Sequence, residues 1–158
     1  MRHSSKKYLE KVLRRKAGRA ISDYRMISAG DRVLVAVSGG RDSLVMMKVL
    51  ALLRKVAPVD FDIVPVHVRT GYEAGFDRIE NWIGQTLGYE TVVYDSLISQ
   101  ILETTCDKDK SPCALCSRLR RGALYGLAEE RGGSSIALGH HMDDVIETFF
   151  LRCLYTGQ

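Results

Sequence analysis

Three groups of residues in this sequence have types and spacings that could do chemistry. The first is Ser38, Gly39, Gly40, Arg41, Asp42 and Ser43, directly after the apolar run at residues 33–37. Glycines let a backbone approach a ligand closely. The pattern Leu44, Val45, Met47, Lys48, Leu50 then opens a helix, whose free N–H groups and positive dipole end face the turn. Strand, glycine turn and helix N-terminus together make an anion site, and phosphate is the usual anion. An ordinary turn capped by Ser38 or Asp42 is the simpler alternative. The letters exclude a Walker A loop, which needs G-x-x-x-x-G-K-[ST], and the dinucleotide fingerprint, which needs a third glycine.

The second group is Cys113 and Cys116, two residues apart, followed by Ser117, Arg118, Leu119, Arg120 and Arg121. A helix start favours thiolates. A single CxxC fits half of a zinc site, a redox dithiol or two ligands of an iron–sulfur cluster, or simply two structural thiols. The third group is Gly139, His140, His141, Met142, Asp143 and Asp144. The two carboxylates could cap the helix that follows. They could also hold magnesium beside phosphates, since that ion prefers carboxylate and phosphate oxygens. Gly139 and His140 would then lie against the nucleotide.

The elements that must position these groups follow from the hydrophobic pattern. Leu9, Val12, Leu13, Ala17, Ala20, Ile21 and Tyr24 recur at helical spacing and predict a helix over residues 5–27. Strands are expected at 33–37, 61–68, 89–95 and 134–139. Helices are expected at 42–55, 76–87, around 97–102, at 114–131 and from Met142 to about Tyr155. Gly88 is a natural residue to end the third helix. Pro65, inside the second strand, removes a ladder donor, so a bulge or a missing bond is expected there. Residues 106–113 read as a loop, Cys106 within it, and Cys153 reads as a buried helix residue. The alternation of apolar strands with helices predicts an α/β fold, a doubly wound parallel sheet covered on both faces. Right-handed crossovers give the order 3-2-1-4, with the phosphate loop at the switch between strands 1 and 4. Two parts are expected: a basic helical segment at 1–30 and a nucleotide-binding domain at 31–158.

With 158 residues, 46% hydrophobic and 27% charged, the chain has the composition of a soluble globular protein with a real core. No apolar run approaches the roughly 18 residues of a membrane span, and no signal peptide is evident. Four cysteines suggest a reducing, cytoplasmic compartment and metal or redox use. The net charge of +4 is uneven: residues 1–19 carry +7 and the rest carry −3. A basic end on a mildly acidic body points to a polyanion such as nucleic acid. Lys11, Arg14 and Arg15 would grip RNA phosphates. Arg118, Arg120 and Arg121, beside Lys108 and Lys110, could extend that surface. A solvated helix face is the alternative for both sets.

SGGRDS resembles the PP-loop, the pyrophosphate-binding signature of ATP pyrophosphatases. Together with PCALCSRLRRG, ALGHHMDD and Glu147-Thr148, the sequence is similar to the tRNA 2-thiocytidine synthetase family from about residue 8 to 157. The resemblance implies an ATP-dependent tRNA sulfurtransferase. It would adenylate the C2 oxygen of a cytidine in the anticodon loop and replace it with sulfur. It implies ATP, Mg2+ and a [4Fe-4S] cluster as cofactors. Its implied partners are tRNA and a sulfur donor such as a cysteine desulfurase, with no membrane. Carried over, Ser38, Gly39, Gly40, Asp42 and Ser43 would hold the pyrophosphate part of ATP, with Arg41 standing where the family usually has lysine. Asp143 would sit by the nucleotide and metal, Cys113 and Cys116 would be two cluster ligands, and His67 would approach the adenosine. Family members continue past the last helix with at least one more strand and normally the third cluster cysteine. The sequence is therefore expected to lack the C-terminal part of the fold, and an unpaired sheet edge would favour a homodimer. Two other readings stay open. One is a related tRNA-modifying enzyme of the 2-thiouridine type, and the other is a nucleotide- or cluster-binding module without full activity.

Overall fold

A computed structural model of the chain describes residues 2–71, 73, 75–106 and 112–155, with side chains from Lys6 onward. Lys108 and Lys110 lie outside the described residues, as does most of the loop at 106–113. Four parallel strands form one sheet in the order β3-β2-β1-β4. They are β1 (Arg32–Ala36), β2 (Asp62–Arg69), β3 (Val92–Asp95) and β4 (Ser135–Ala137). The helices are α1 (Arg2–Asp23), α2 (Arg41–Arg54), α3 (Asp77–Trp82), α4 (Ile98–Thr105), α5 (Cys113–Glu130) and α6 (Met142–Tyr155). The expected α/β class and strand order are both borne out.

The alternation of side chains along β1 divides the molecule into two layers. Val33, Val35 and Val37 pack with Met47, Leu50 and Ala51 of α2 and with Phe61, Ile63, Phe76 and Ile83. Leu34 faces the other way, with Val66, Val68, Ile98, Leu102, Leu124 and Leu127. Helix α1 joins the α2 layer: Ile21 packs on that core, and Lys48 of α2 pairs with Glu10. Helices α4 and α5 form the opposite layer. Leu34 is fully buried and lies between Val64 and Ile136 on the neighbouring strands. Replacing it with alanine is expected to cost about 2–5 kcal/mol. The check is the shift of the urea midpoint at constant slope.

Pro65 sits in register with Val35, without the expected bulge or lost bond. The reason is phase. The Asp62 amide donates to the Asp31 carbonyl, and the Val66 carbonyl accepts from Val37, each at 2.8 Å. Residues 62, 64 and 66 therefore turn their backbone groups toward β1. Pro65 turns toward β3, which pairs only from Val66 onward, so its missing N–H would have had no ladder partner.

Two further differences have local causes. Helix α3 continues as a π-helical turn at Ile83–Leu87, which Gly88 closes with φ 78°. The apolar stripe there is the same for α- and π-winding, so the pattern reads only as helix. Cys153 is exposed, not buried. Helix α6 carries an apolar stripe, but none of its residues is buried among the described residues; Phe149, Phe150 and Leu154 are all exposed. No helix among the described residues is long and apolar enough to cross a membrane.

Candidate functional site

The phosphate-type loop is pinned by its two serines. Ser43, only 4% exposed, donates from Oγ to the Gly40 carbonyl at 2.8 Å. It accepts from the Ser38 amide at 3.2 Å and lies 3.2 Å from the Ser38 hydroxyl. Gly39 has φ 89°, a left-handed conformation that a side chain would strain. Gly40 occupies the N-cap of α2 and supplies no side-chain cap. The amides of Arg41, Asp42 and Ser43 therefore have no intrahelical acceptor, and the positive end of α2 is left for an anion.

The end of β4 abuts this loop. A Cβ on Gly139 would lie 2.7 Å from the Ser43 nitrogen and 2.8 Å from its Cα, so only glycine allows the approach. One cavity of about 420 Å³ follows. Its wall takes Ser38, Asp42 and Ser43 from the loop, Gly139, His140 and Asp144 from beyond β4, and Ser117, Arg120 and Arg121 from α5. Parts of all three motifs thus face one space. Gly39, Gly40 and Arg41 are not among the residues that line it.

The two aspartates divide their roles. Asp144 lines the cavity and also accepts from the His141 amide at 2.8 Å, which is the reach-back half of a capping box. Asp143 lies outside the wall, with a side chain 84% exposed and 3.7 Å from the His141 ring. The capping and the site-lining readings therefore both apply to Asp144. Asp42 and Asp144 supply carboxylate oxygens of the type that magnesium takes beside phosphates.

Cys113 and Cys116 stand in the first turn of α5, the former exposed and the latter half-buried. An Nη2 atom of Arg120 lies 3.9 Å from Cys116 Sγ. Two thiols on one turn can serve a cluster as two ligands. Among the described residues, however, no group of three His, Cys, Asp or Glu could hold a metal ion. The described residues alone do not complete a [4Fe-4S] site. Cys106 ends α4 and packs against the α4–α5 core.

The basic residues do not form one surface. Lys11 and Arg15 are exposed and Arg14 is half-buried on α1, in the α2 layer, whereas Arg118 and Arg121 are exposed on α5 across the sheet. Arg120 turns inward, and its Nε is buried with no partner. His67 is 1% exposed and stacks on Phe76 with ring centroids 3.5 Å apart. Together with Ser38, Arg120 and Glu73 it lines a second cavity of about 160 Å³. Burial pushes the Glu73 carboxyl up. Bonds from the Thr70 hydroxyl and from the Thr70 and Gly71 amides outweigh it and hold the group below its usual range. Ser117 and Glu73 carry no sequence signal strong enough to single them out: one merely follows the CxxC, and the other lies in a polar loop.

A family model described as a PP-loop domain matches residues 9–157. The tRNA-cytidine(32) 2-sulfurtransferase of Alcanivorax borkumensis is 46% identical over 153 residues, 95% of this chain and 53% of that protein. The one from Saccharophagus degradans is 44% identical over 150 residues, 95% of this chain and 48% of that protein. The chain thus spans about half the length of these relatives. A U34-tRNA thiolase of Methanococcus maripaludis, solved with its [4Fe-4S] cluster, shares the fold. It has a TM-score of 0.75 at 23% identity, over 94% of this chain and 51% of that one. The family model spans nearly the whole chain, and this protein belongs to the PP-loop domain family.

Proposed function

We propose that this chain is the ATP-binding, cysteine-bearing part of a tRNA-cytidine 2-sulfurtransferase. The observation that carries the reading is the single cavity faced by the phosphate-type loop, the turn after β4 and the helix that begins with CxxC. Relatives at 44–46% identity with that name support the choice of substrate.

A carbonyl oxygen on a pyrimidine ring is a poor leaving group, and adenylation makes it a good one. The amides at the start of α2 would receive the charge that develops on pyrophosphate as it leaves. Asp42 and Asp144 would hold magnesium, which neutralises the same charge when bound. Arg121, exposed at the cavity wall, and the basic face of α1 would meet RNA phosphates from the two layers. Cys113 and Cys116 would give two soft thiolates to an iron–sulfur cluster that carries sulfur, with further ligands from outside the described residues. A cytoplasmic setting and a sulfur donor such as a cysteine desulfurase go with this reading. A second copy, if one pairs, would use the open outer edge of β4.

The test is pyrophosphate release from Mg–ATP in the presence of an unmodified tRNA transcript. Release that depends on tRNA supports the reading, and release that ignores tRNA contradicts it. A second expectation concerns the thiols. Protein purified without oxygen should carry iron and labile sulfide, and Cys113→Ala should lose most of both. Equal iron in the variant would remove Cys113 from the ligand set.

A further inference from the structure

Helix α1 ends in a turn of a kind that usually holds glycine. The Met26 amide donates to the Ile21 carbonyl at 2.9 Å, and the Arg25 amide donates to the Ser22 carbonyl at 3.2 Å. This pair of bonds makes a Schellman turn, whose pivotal residue is left-handed. Arg25 holds that place with φ 49°, the one left-handed residue other than glycine among the described residues. Strain of this kind persists where the surroundings hold it, and it gathers at functional positions. Beside the turn is a cavity of about 630 Å³, within the range that takes a small organic molecule. Ile21, Ile27, Leu53 and Phe61 line it, and Val56 and Val59, 62% and 37% exposed, stand open to water. Arg25 is the sole charged residue in the lining, which holds no carboxylate. No ion pair engages its guanidinium among the described residues. The cavity draws on the last turn of α2 and the residues after it, whereas the phosphate-type loop meets the first turn. The 14-residue helix separates the two by about 20 Å.

We propose that this cavity binds a small amphiphile, an apolar tail that carries one carboxylate. Contiguous apolar surface open to water is a common mark of a binding site. A tail laid on it is favoured in proportion to the apolar area that it covers. The polar part of the lining selects the head: one unpaired guanidinium and the hydroxyls of Ser22 and Ser28, with no carboxylate. A guanidinium is a planar fork that meets a carboxylate with two parallel bonds, and it repels an ammonium head. Glycine at position 25 would relieve the turn but remove the one charge in the wall. A ligand that uses that charge accounts for the arginine. The inference concerns the far end of α2 and is independent of the ATP reading above.

The experiment titrates the 158-residue chain with octanoate and with octylammonium by calorimetry, below the concentrations at which either forms micelles. The wild type should bind octanoate at one site, roughly tenfold or more tighter than octylammonium. Decanoate should gain roughly three- to fourfold over octanoate for each added methylene. Arg25→Gly should lose the preference for the carboxylate while the melting temperature holds or rises, because glycine relieves the left-handed turn. Arg25→Gln keeps the strain, removes the charge and should lose the preference too. Val56→Glu sets a carboxylate at the cavity mouth and should weaken octanoate by roughly tenfold. Leu154→Ser, on the exposed stripe of α6, should bind as the wild type does, and saturating Mg–ATP should leave octanoate in place. No octanoate binding, equal binding of the two heads, or a preference that survives in both Arg25 variants overturns the inference. A loss in Leu154→Ser with none in Val56→Glu puts the tail on α6 and overturns it as well. So does displacement by Mg–ATP, which puts the carboxylate at the phosphate-type loop.

Discussion

Gly139→Ala should weaken Mg–ATP binding by roughly tenfold to a hundredfold, the equivalent of about 1–3 kcal/mol of overpacking. The added Cβ would meet the Ser43 nitrogen at 2.7 Å, the Ser43 Cα at 2.8 Å and the Asp42 carbonyl carbon at 3.2 Å. All three are backbone atoms of the first turn of α2, so no side chain can swing aside. Relief must come from moving either β4 or the loop, and both hold the site. Gly126→Ala is the control. It lies inside α5 with open space around its Cβ position, and removing a helical glycine stabilises by about 0.4–1 kcal/mol. Calorimetric titration of both variants checks the pair. If Gly139→Ala binds ATP as the wild type does, the turn after β4 does not close the nucleotide site.

Asp42→Asn should lower Mg–ATP affinity by roughly ten- to a hundredfold while the fold stays intact. The substitution keeps the shape and removes the charge. A carboxylate in the first turn of a helix contributes only about 0.3–1 kcal/mol to stability through the helix dipole. The two roles therefore separate by measurement. A residue that only supports α2 gives a small fall in melting temperature and normal ATP binding. A residue that holds magnesium beside the phosphates gives a near-normal melting temperature and lost affinity. Titration with and without magnesium distinguishes them, because the loss should shrink when the metal is omitted.

The parts of this molecule that were legible in its sequence are those fixed by short-range pattern. The apolar run before Ser38, the glycine turn and the periodic residues after Asp42 gave strand, loop and helix within one residue of the observed bounds. Gly88 ended its helix in the left-handed region, as its lack of a side chain allows. Features that depend on a partner element were hidden. Pro65 is harmless only because β3 starts one residue later. Cys153 has the spacing of a core residue, yet no described element covers α6. Arg120 reads as one of three similar arginines, and the rotation of α5 against the sheet turns it inward while Arg118 and Arg121 stay exposed. The sheet also separates the basic face of α1 from α5, which a linear charge count merges into one surface. The family resemblance implied that His67 approaches the adenosine. Its Nδ1 meets the Val37 carbonyl oxygen across the ladder at 2.7 Å, a contact that no local pattern encodes.

The proposed function requires that the loop at residues 38–43 hold the phosphates of ATP. Calorimetric titration of Mg–ATP into the folded 158-residue chain, with pyrophosphate as competitor and Asp42→Asn as control, is the test. Binding at one site is expected, displaced by pyrophosphate and strongly weakened in the variant. A folded wild-type chain that binds no ATP at millimolar concentration, or whose binding is indifferent both to pyrophosphate and to Asp42, would contradict it.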